Sequence, residues 1–208
     1  MRLFLASYRF GAHQQRLLDM VGEHKRVAVI ANACDAWGDA ARSSALTSDL
    51  VPLRKLGFDA CEVDLRDFIG APDALREALT DAGFLWVRGG NTFVLRAQLA
   101  RSGGDHVLAQ MLSEDAIVYA GYSAGACVLT PSLAGLDTVD DPAEVEPTCG
   151  IAPIWTGLGL VSQAIVPHYD SDPDATAQAV RYREQGVAHW ALTDEQVVLV
   201  DGGEPELL

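Results

Sequence analysis

The chain has 208 residues, of which 49% are hydrophobic and 21% charged, and its formal net charge is −14. This length and composition predict one globular domain over residues 1–208 with a sizeable core. The negative charge argues against nucleic acid or an anionic membrane surface as a partner. No apolar run approaches the roughly 18 residues of a membrane span, and we do not expect the first residues to act as a secretory leader, because their apolar run is short.

The four cysteines are Cys34, Cys61, Cys127 and Cys149. None of them forms a C-x-x-C pair, so the spacing indicates neither a zinc site nor a disulfide scaffold. Three of them lie beside apolar or small residues and are predicted to be buried free thiols. We therefore expect a reducing, cytoplasmic setting.

Apolar runs and helical patterns alternate along most of the chain. Continuous apolar runs predict buried strands over residues 2–7, 26–31, 58–64, 84–87, 116–120 and 163–167. Helical patterns cover residues 13–21, 39–56, 72–82, 93–100, 105–112 and 174–185. Residues 131–156 are predicted to form a loop excursion, and residues 190–192 with 196–200 a closing hairpin. This alternation predicts an α/β fold with a mostly parallel central sheet.

One stretch carries a recognisable chemical pattern. Gly121-Tyr-Ser-Ala-Gly125 is a G-x-S-x-G motif that follows a predicted strand and precedes helix-compatible residues. In that context the motif predicts a nucleophile elbow, in which a sharp turn exposes the hydroxyl of Ser123. The amide of Ala124 would point toward the same place from a helix N-terminus, where negative charge is favoured. The plainer alternative is a tight β–α turn with a helix-capping serine.

A serine hydroxyl needs a neighbouring base, usually a histidine oriented by a carboxylate. Among five histidines, His168 stands out because it follows an apolar strand and a proline and opens a polar stretch. Parallel strands bring their carboxyl ends to one edge, so Ser123, Gly90 and His168 should meet there. Spacing alone does not rank the downstream acids, which are Asp170, Asp172, Asp174, Asp194 and Glu195.

A second glycine stretch, Arg88-Gly-Gly-Asn-Thr92, follows the predicted strand 84–87. Glycines there allow close backbone approach and an exposed amide, which suits an oxyanion hole. The alternative is a simple β–α turn in which Asn91 or Thr92 caps the next helix. No phosphate-loop pattern is present.

With these residues in view, the chain resembles the serine peptidase family of peptidase E (aspartyl dipeptidase) and cyanophycinase, family S51. Three segments carry the resemblance: residues 89–93 (GGNTF), 121–126 (GYSAGA) and 166–169 (VPHY). The resemblance implies a three-layer α/β sandwich like that of class I glutamine amidotransferases, with serine in place of cysteine at the elbow. It also implies Ser123 as nucleophile, His168 as general base and the amides of Gly90 and Ala124 as the oxyanion hole.

In the family the third catalytic residue follows a late apolar strand, which selects Asp194, with Glu195 as the neighbouring alternative. The implied activity is hydrolysis of dipeptides or other short peptides without a metal or cofactor, by a monomer or homodimer. Arg88 stands where peptidase E has a further glycine. It could recognise a substrate carboxylate or pair with an acid of residues 137–146. With Arg88, we expect Asn91, Tyr122 and Arg181 to contribute to substrate binding.

Three other functions share part of this pattern. An α/β-hydrolase esterase shares the elbow motif but places its acid between serine and histidine, which here would require His189. A non-catalytic relative would use the pocket to bind a small acidic ligand. A glutamine amidotransferase needs cysteine at the elbow, and Cys127 lies four residues too late.

Overall fold

The computed structural model describes residues 1–208. Its strands are β1 (Arg2–Ala6), β2 (Arg26–Ile30), β3 (Asp59–Glu62), β4 (Phe84–Val87), β5 (Val118–Tyr122), β6 (Ala164–Val166), β7 (His189–Ala191), β8 (Val197–Asp201) and β9 (Glu206–Leu207). Its helices are α1 (Gln14–Val21), α2 (Asp39–Lys55), α3 (Pro72–Thr80), α4 (Thr92–Ser102), α5 (Gly104–Ser113), α6 (Ala124–Cys127), α7 (Val145–Cys149) and α8 (Pro173–Gln185).

Seven strands form the central sheet in the order β3-β2-β4-β5-β1-β8-β9. The first five of these are mutually parallel, whereas β8 pairs antiparallel with β1 and β9 antiparallel with β8. The predicted α/β fold with a mostly parallel sheet is therefore confirmed. Two parallel strands, β6 and β7, form a separate small sheet.

Alternate residues of each central strand enter different hydrophobic clusters, because successive side chains point to opposite faces of a sheet. Leu3 and Leu5 of β1 pack on the face covered by α3 to α7, and Phe4 and Ala6 pack on the face covered by α1 and α2. Both faces are thus covered, which gives the expected three layers. The small sheet packs against α8 through Val166, among other contacts.

The predicted closing hairpin is wrong. β7 pairs in parallel with β6 in the small sheet, and β8 pairs with β1 and β9 in the central sheet. The short polar stretch Thr193–Gln196 therefore carries the chain from one sheet to the other. The hairpin of this region is β8–β9, whose second strand was not predicted.

The loop excursion at residues 131–156 is confirmed in outline, although it contains short helical turns and α7. The helix after the elbow, α6, is only one turn long. None of the helices combines the length and the apolar character that crossing a membrane requires.

Candidate active site

Ser123 lies on a sharp turn between β5 and α6. Its backbone has φ 50° and ψ −117°, a left-handed value of φ that a non-glycine residue adopts at some cost in energy. Small neighbours permit the turn: a Cβ atom on Gly125 would lie 2.2 Å from the carbonyl oxygen of Val87, and one on Gly121 would lie 2.4 Å from that of Gly125. The buried Tyr119 hydroxyl donates to the same Gly125 carbonyl at 2.5 Å. The turn has the geometry of a nucleophile elbow.

His168 and Asp194 form a hydrogen-bonded row with Ser123. The Ser123 Oγ lies 3.2 Å from His168 Nε2, and His168 Nδ1 lies 2.7 Å from Asp194 Oδ1. Since an ionised carboxylate can only accept a hydrogen bond, Nδ1 carries the proton and donates a hydrogen bond to Asp194. Nε2 is then the acceptor for the Ser123 hydroxyl. This is the arrangement in which an imidazole can take a proton from a serine.

The three residues come from two sheets. Ser123 follows β5 of the central sheet, whereas His168 follows β6 and Asp194 follows β7 of the small sheet. The three predicted residues Ser123, Gly90 and His168 do meet, but His168 does not reach the site from the central sheet as expected. The acid that bonds to the imidazole is Asp194, and not Glu195 or one of the other downstream acids.

Ser7 is a component of this site that sequence reasoning missed. It is fully buried just after β1. Its hydroxyl donates to Asp194 Oδ1 at 3.0 Å and accepts from the His168 amide at 2.7 Å. Ser171 donates to the other carboxylate oxygen of Asp194 at 3.0 Å. The available signal was a polar residue at the end of the predicted strand 2–7, at the edge where the other site residues were expected.

Asp194 is held as a carboxylate by these donors. Partial burial on its own would raise the pKa of Asp194, but the hydrogen bonds from His168, Ser7 and Ser171 outweigh that effect and lower it. The side chain therefore stays ionised to lower pH than an ordinary aspartate. An ionised Asp194 orients the imidazole and stabilises its protonated form.

The predicted oxyanion-hole residues, Gly90 and Ala124, border the same cavity as Ser123 and His168. Neither amide donates to a carbonyl of the chain. Ala124 is the first residue of its helix, where an N–H group has no partner within the helix. In the β4–α4 loop the amides of Arg88 and Asn91 donate to backbone carbonyls, whereas the amide of Gly90 does not. Gly90 has φ 150°, and a Cβ atom there would lie 2.5 Å from the Ala33 carbonyl oxygen. A glycine is therefore needed at this position for the β4–α4 loop to pack against Ala33, and one at Gly89 for the loop to approach Ser123, because a Cβ atom there would lie 2.9 Å from that of Ser123.

The cavity beside Ser123 has a volume of about 260 Å³. Both polar and apolar side chains line it. The polar ones belong to Thr92, Ser123, Asp140, His168, Asp172 and Gln178. The apolar ones include those of Cys127, Leu136, Val139, Val166 and Ala175. Burial raises the pKa of the Cys127 thiol, which donates to the Ile165 carbonyl, so this cysteine is not an activated nucleophile.

Two predicted substrate-binding residues have their polar groups engaged outside this cavity. Asn91 caps α4 by accepting from the amides of Phe93 and Val94, and its amide group donates to the Asp141 carbonyl and to Glu144. Asn91 therefore caps α4, as the sequence predicted for Asn91 or Thr92, and this role leaves the Gly90 amide free. The buried Tyr122 hydroxyl bonds to Asp49 of α2 at 3.1 and 3.2 Å.

The two predicted substrate-binding arginines, Arg88 and Arg181, also contact groups outside the cavity. Arg88 lies 3.5 Å from Asp49 and 5.8 Å from the centre of the Trp37 ring, so it pairs with an acid of α2 and not with residues 137–146. Arg181 of α8 donates to Gln178 Oε1 and to Thr138 Oγ1. None of the four residues Arg88, Asn91, Tyr122 and Arg181 borders the cavity. Direct substrate contact by them is therefore not supported.

No histidine other than His168 borders the cavity of Ser123. His106 is bonded to Asp105, and the half-buried His189 is bonded to the Val187 carbonyl. The esterase scheme that would pair Ser123 with His189 therefore has no support in the geometry.

The sequence matches peptidase family S51 over residues 5–208, and the chain belongs to that family. It is 31% identical to an uncharacterized peptidase of Listeria innocua over 121 residues, which cover 58% of this chain and 54% of the relative. It is 36% identical to peptidase E of Streptomyces coelicolor over 115 residues, covering 55% of this chain and 43% of the relative. The matched part spans about half the length of the curated relatives.

Solved structures confirm the fold. The 1.5 Å crystal structure of a putative peptidase E protein from Listeria monocytogenes superposes with a TM-score of 0.79 at 23% identity, covering 100% of this chain and 97% of that one. A peptidase from an acI-B1 actinobacterium superposes with a TM-score of 0.67 at 14% identity, covering 100% and 86%. The architecture is thus that of peptidase E, which is like the class I glutamine amidotransferases.

Proposed function

We propose that this protein is a serine peptidase that hydrolyses dipeptides or other short peptides. The observation that carries the proposal is the row Ser123–His168–Asp194, with the serine on an elbow and the histidine Nε2 at 3.2 Å from its hydroxyl. Family membership and the peptidase names of the relatives support the general activity. The row supplies a nucleophile, a base and an orienting carboxylate.

The reaction follows from the roles of these atoms. Ser123 Oγ attacks the carbonyl carbon of the scissile amide while its proton passes to His168 Nε2. The resulting oxyanion faces the free amides of Gly90 and Ala124. Collapse breaks the C–N bond, with the His168 proton going to the leaving amine. Water then attacks the acyl-enzyme with His168 again as base, which releases the acid product and restores Ser123.

The test is hydrolysis of a panel of X-Leu dipeptides, with X as Asp, Glu, Ala, Leu, Met and Lys, by wild type and Ser123→Ala. We expect the substitution to lower turnover by about 10³-fold or more with the fold intact, because the nucleophile is lost. Circular dichroism checks the fold. Peptide cleavage by the purified Ser123→Ala variant at the wild-type rate would refute the mechanism.

A fluorophosphonate probe separates this proposal from a ligand-binding protein without activity. Such a probe reacts with an activated serine, so it should label wild type at Ser123 and leave Ser123→Ala and His168→Ala unlabelled. A wild-type protein that stays unlabelled and cleaves no member of the panel would favour the binding function.

A further inference from the structure

An exposed aromatic ring lies beside the imidazole of His168 and outside the cavity. It belongs to Tyr8, which follows β1 and Ser7 and is 48% exposed. The centre of the Tyr8 ring lies 6.4 Å from that of the His168 ring and 6.2 Å from that of the Tyr122 ring. Tyr8 does not border the cavity. It therefore flanks the imidazole on a side that the cavity does not occupy.

The loop that carries Tyr8 is held in a fixed shape. Arg9 has φ 50°, a left-handed value that surrounding contacts must hold in a non-glycine residue. The amide of Gly11 donates to the Tyr8 carbonyl at 2.9 Å, and the amide of Ala12 donates to the Glu195 carbonyl at 2.9 Å. A Cβ atom on Gly11 would lie 2.5 Å from the same Glu195 oxygen. The loop is thus tied to the segment that follows β7, so its side chains are positioned before a substrate binds.

This surface carries an excess of positive charge, although the chain has a net charge of −14. Burial raises the pKa of Asp49, and Arg88 and Arg9 both oppose that rise, so one carboxylate lies near two guanidinium groups. Arg88 forms the ion pair with Asp49. The Arg9 guanidinium lies 5.5 Å from the centre of the Tyr8 ring, donates one hydrogen bond to the Ser48 carbonyl and forms no ion pair. Arg9 therefore keeps donors with which it can bind an anion beside Tyr8.

The proposed reaction brings the leaving residue to this surface. When the acyl-enzyme forms on Ser123, His168 gives its proton to the nitrogen of the leaving amine, so that nitrogen lies beside the imidazole. With the acyl part in the cavity, the leaving residue extends out of the cavity, over the Tyr8 ring and toward Arg9. In a dipeptide only the α-carbon separates this nitrogen from a free carboxylate. A guanidinium group is a suitable partner for that carboxylate.

We propose that Tyr8 and Arg9 form the subsite for the leaving residue, whose side chain packs on the Tyr8 ring and whose free carboxylate binds Arg9. This inference rests on the proposed peptidase function and specifies the leaving half of the substrate. Substrates that end one residue after the scissile bond are favoured, because only they carry a carboxylate at that distance. Apolar leaving side chains are favoured too, because they remove the surface of an exposed ring from water.

The carboxylate contact is tested with the X-Leu dipeptide that wild type cleaves fastest and with its C-terminal amide, which has the same size and lacks the charge. Arg183→Gln is the matched control for Arg9→Gln, because Arg183 is an exposed arginine of α8 without an ion pair or a side-chain hydrogen bond. We expect wild type and Arg183→Gln to favour the dipeptide by roughly 10-fold in kcat/KM. Arg9→Gln should cleave both equally, and Arg9→Lys should recover part of the ratio. A wild-type ratio near one, or a ratio that Arg9→Gln leaves unchanged, would overturn the assignment.

The contact with Tyr8 is tested with leaving residues of different size. Hydrolysis of X-Leu is compared with that of X-Gly in wild type, Tyr8→Phe and Tyr8→Ala, with circular dichroism as the check of the fold. Wild type and Tyr8→Phe, which keeps the ring, should favour leucine, and Tyr8→Ala should lose that preference. A preference for leucine that persists in Tyr8→Ala would refute the apolar contact.

A binding measurement separates this inference from the proposed reaction. Ala-Leu and Ala-Leu amide are titrated by calorimetry into Ser123→Ala and into Ser123→Ala/Arg9→Gln. Tighter binding of the dipeptide that disappears in the double variant supports the subsite even if the protein cleaves no peptide. Equal or absent binding of the two ligands refutes it even in an active peptidase.

Discussion

Ser7 connects three parts of the site through one hydroxyl. It extends from the end of β1 in the central sheet and bonds both to Asp194 and to the His168 backbone. His168 itself has φ 60°, so its backbone is in a left-handed conformation that surrounding contacts must hold. The hydrogen bond from its amide to Ser7 is one such contact. We infer that Ser7 positions the imidazole without touching the substrate.

Replacing Ser7 by alanine should therefore weaken both stability and activity. The His168 amide would lose its acceptor, which costs about 1–3 kcal/mol of unfolding free energy. A displaced imidazole should lower kcat by roughly ten-fold with little change in KM, which corresponds to about 1.4 kcal/mol in the transition state. Urea unfolding and dipeptide kinetics measure the two effects.

Ser171→Ala is the matched control, because Ser171 is exposed and bonds to the outer oxygen of Asp194, where water can replace it. It should change both quantities much less. Equal effects of the two substitutions would contradict a positioning role for Ser7.

The lowered pKa of Asp194 predicts how its contribution to stability depends on pH. A carboxyl whose pKa is lower in the folded than in the unfolded state stabilises the fold above the unfolded value, which is 3.8. That contribution is lost as the pH falls through the lower folded value. Because 40% of the side chain is exposed, solvent screening keeps the contribution small.

The measurement is the unfolding free energy of wild type and Asp194→Asn between pH 7 and pH 2. The difference in favour of wild type should be constant above about pH 5 and should shrink toward the acid end. A difference that grows as the pH falls would be inconsistent with a lowered pKa.

At the scale of elements, the elbow depends on contacts that allow no side chain at Gly125. A methyl group there would overlap the carbonyl of Val87 in the neighbouring strand. We expect Gly125→Ala to lower the unfolding free energy by about 1–3 kcal/mol and to abolish most activity, because β5 and α6 must separate from β4.

Gly203→Ala provides the control, since nothing lies within 4 Å of a Cβ atom at that position and its φ is ordinary. Both variants are compared by urea unfolding and by dipeptide hydrolysis. If Gly125→Ala were as stable and active as Gly203→Ala, the packing argument for the elbow would fail.

Most elements were predictable because their signals are local. Continuous apolar runs marked the buried parallel strands, and the G-x-S-x-G pattern marked the turn that carries Ser123. The closing hairpin was wrong because two short apolar runs separated by a polar turn look the same whether or not they pair with each other. The parallel pairing of β7 with β6 joins segments more than twenty residues apart, and no local pattern encodes it.

At the scale of the whole molecule, the tertiary fold sets the contacts of the residues that were predicted to bind substrate. Arg88 and Tyr122 lie near the elbow as predicted, but Arg88 pairs with Asp49 of α2 and the Tyr122 hydroxyl donates to the same carboxylate. That acid lies far away in the sequence and has no motif. For the same reason Asp140 was not predicted to border the cavity, because only the folded loop brings it to Thr92 and the cavity. Sequence patterns located the candidate nucleophile, whereas the partners of each side chain depend on the tertiary fold.

The division of the candidate site between two sheets has a consequence for how the proposed activity would be lost. The small sheet of β6 and β7 contributes His168 and Asp194, and it is held by fewer buried side chains than the central sheet that carries Ser123. Local opening of this part would separate Ser123 from His168 while the central core stays folded. We expect hydrolysis to be lost at a lower urea concentration than the far-ultraviolet circular dichroism signal. Coincident loss of the two signals would argue against such opening.

Directed evolution for heat-resistant activity should then select a particular region of the chain. Substitutions that stabilise the central core would raise the melting temperature without extending the temperature range of the proposed activity. Those that extend it should accumulate where the small sheet meets the end of β1, around Ser7 and Ser171.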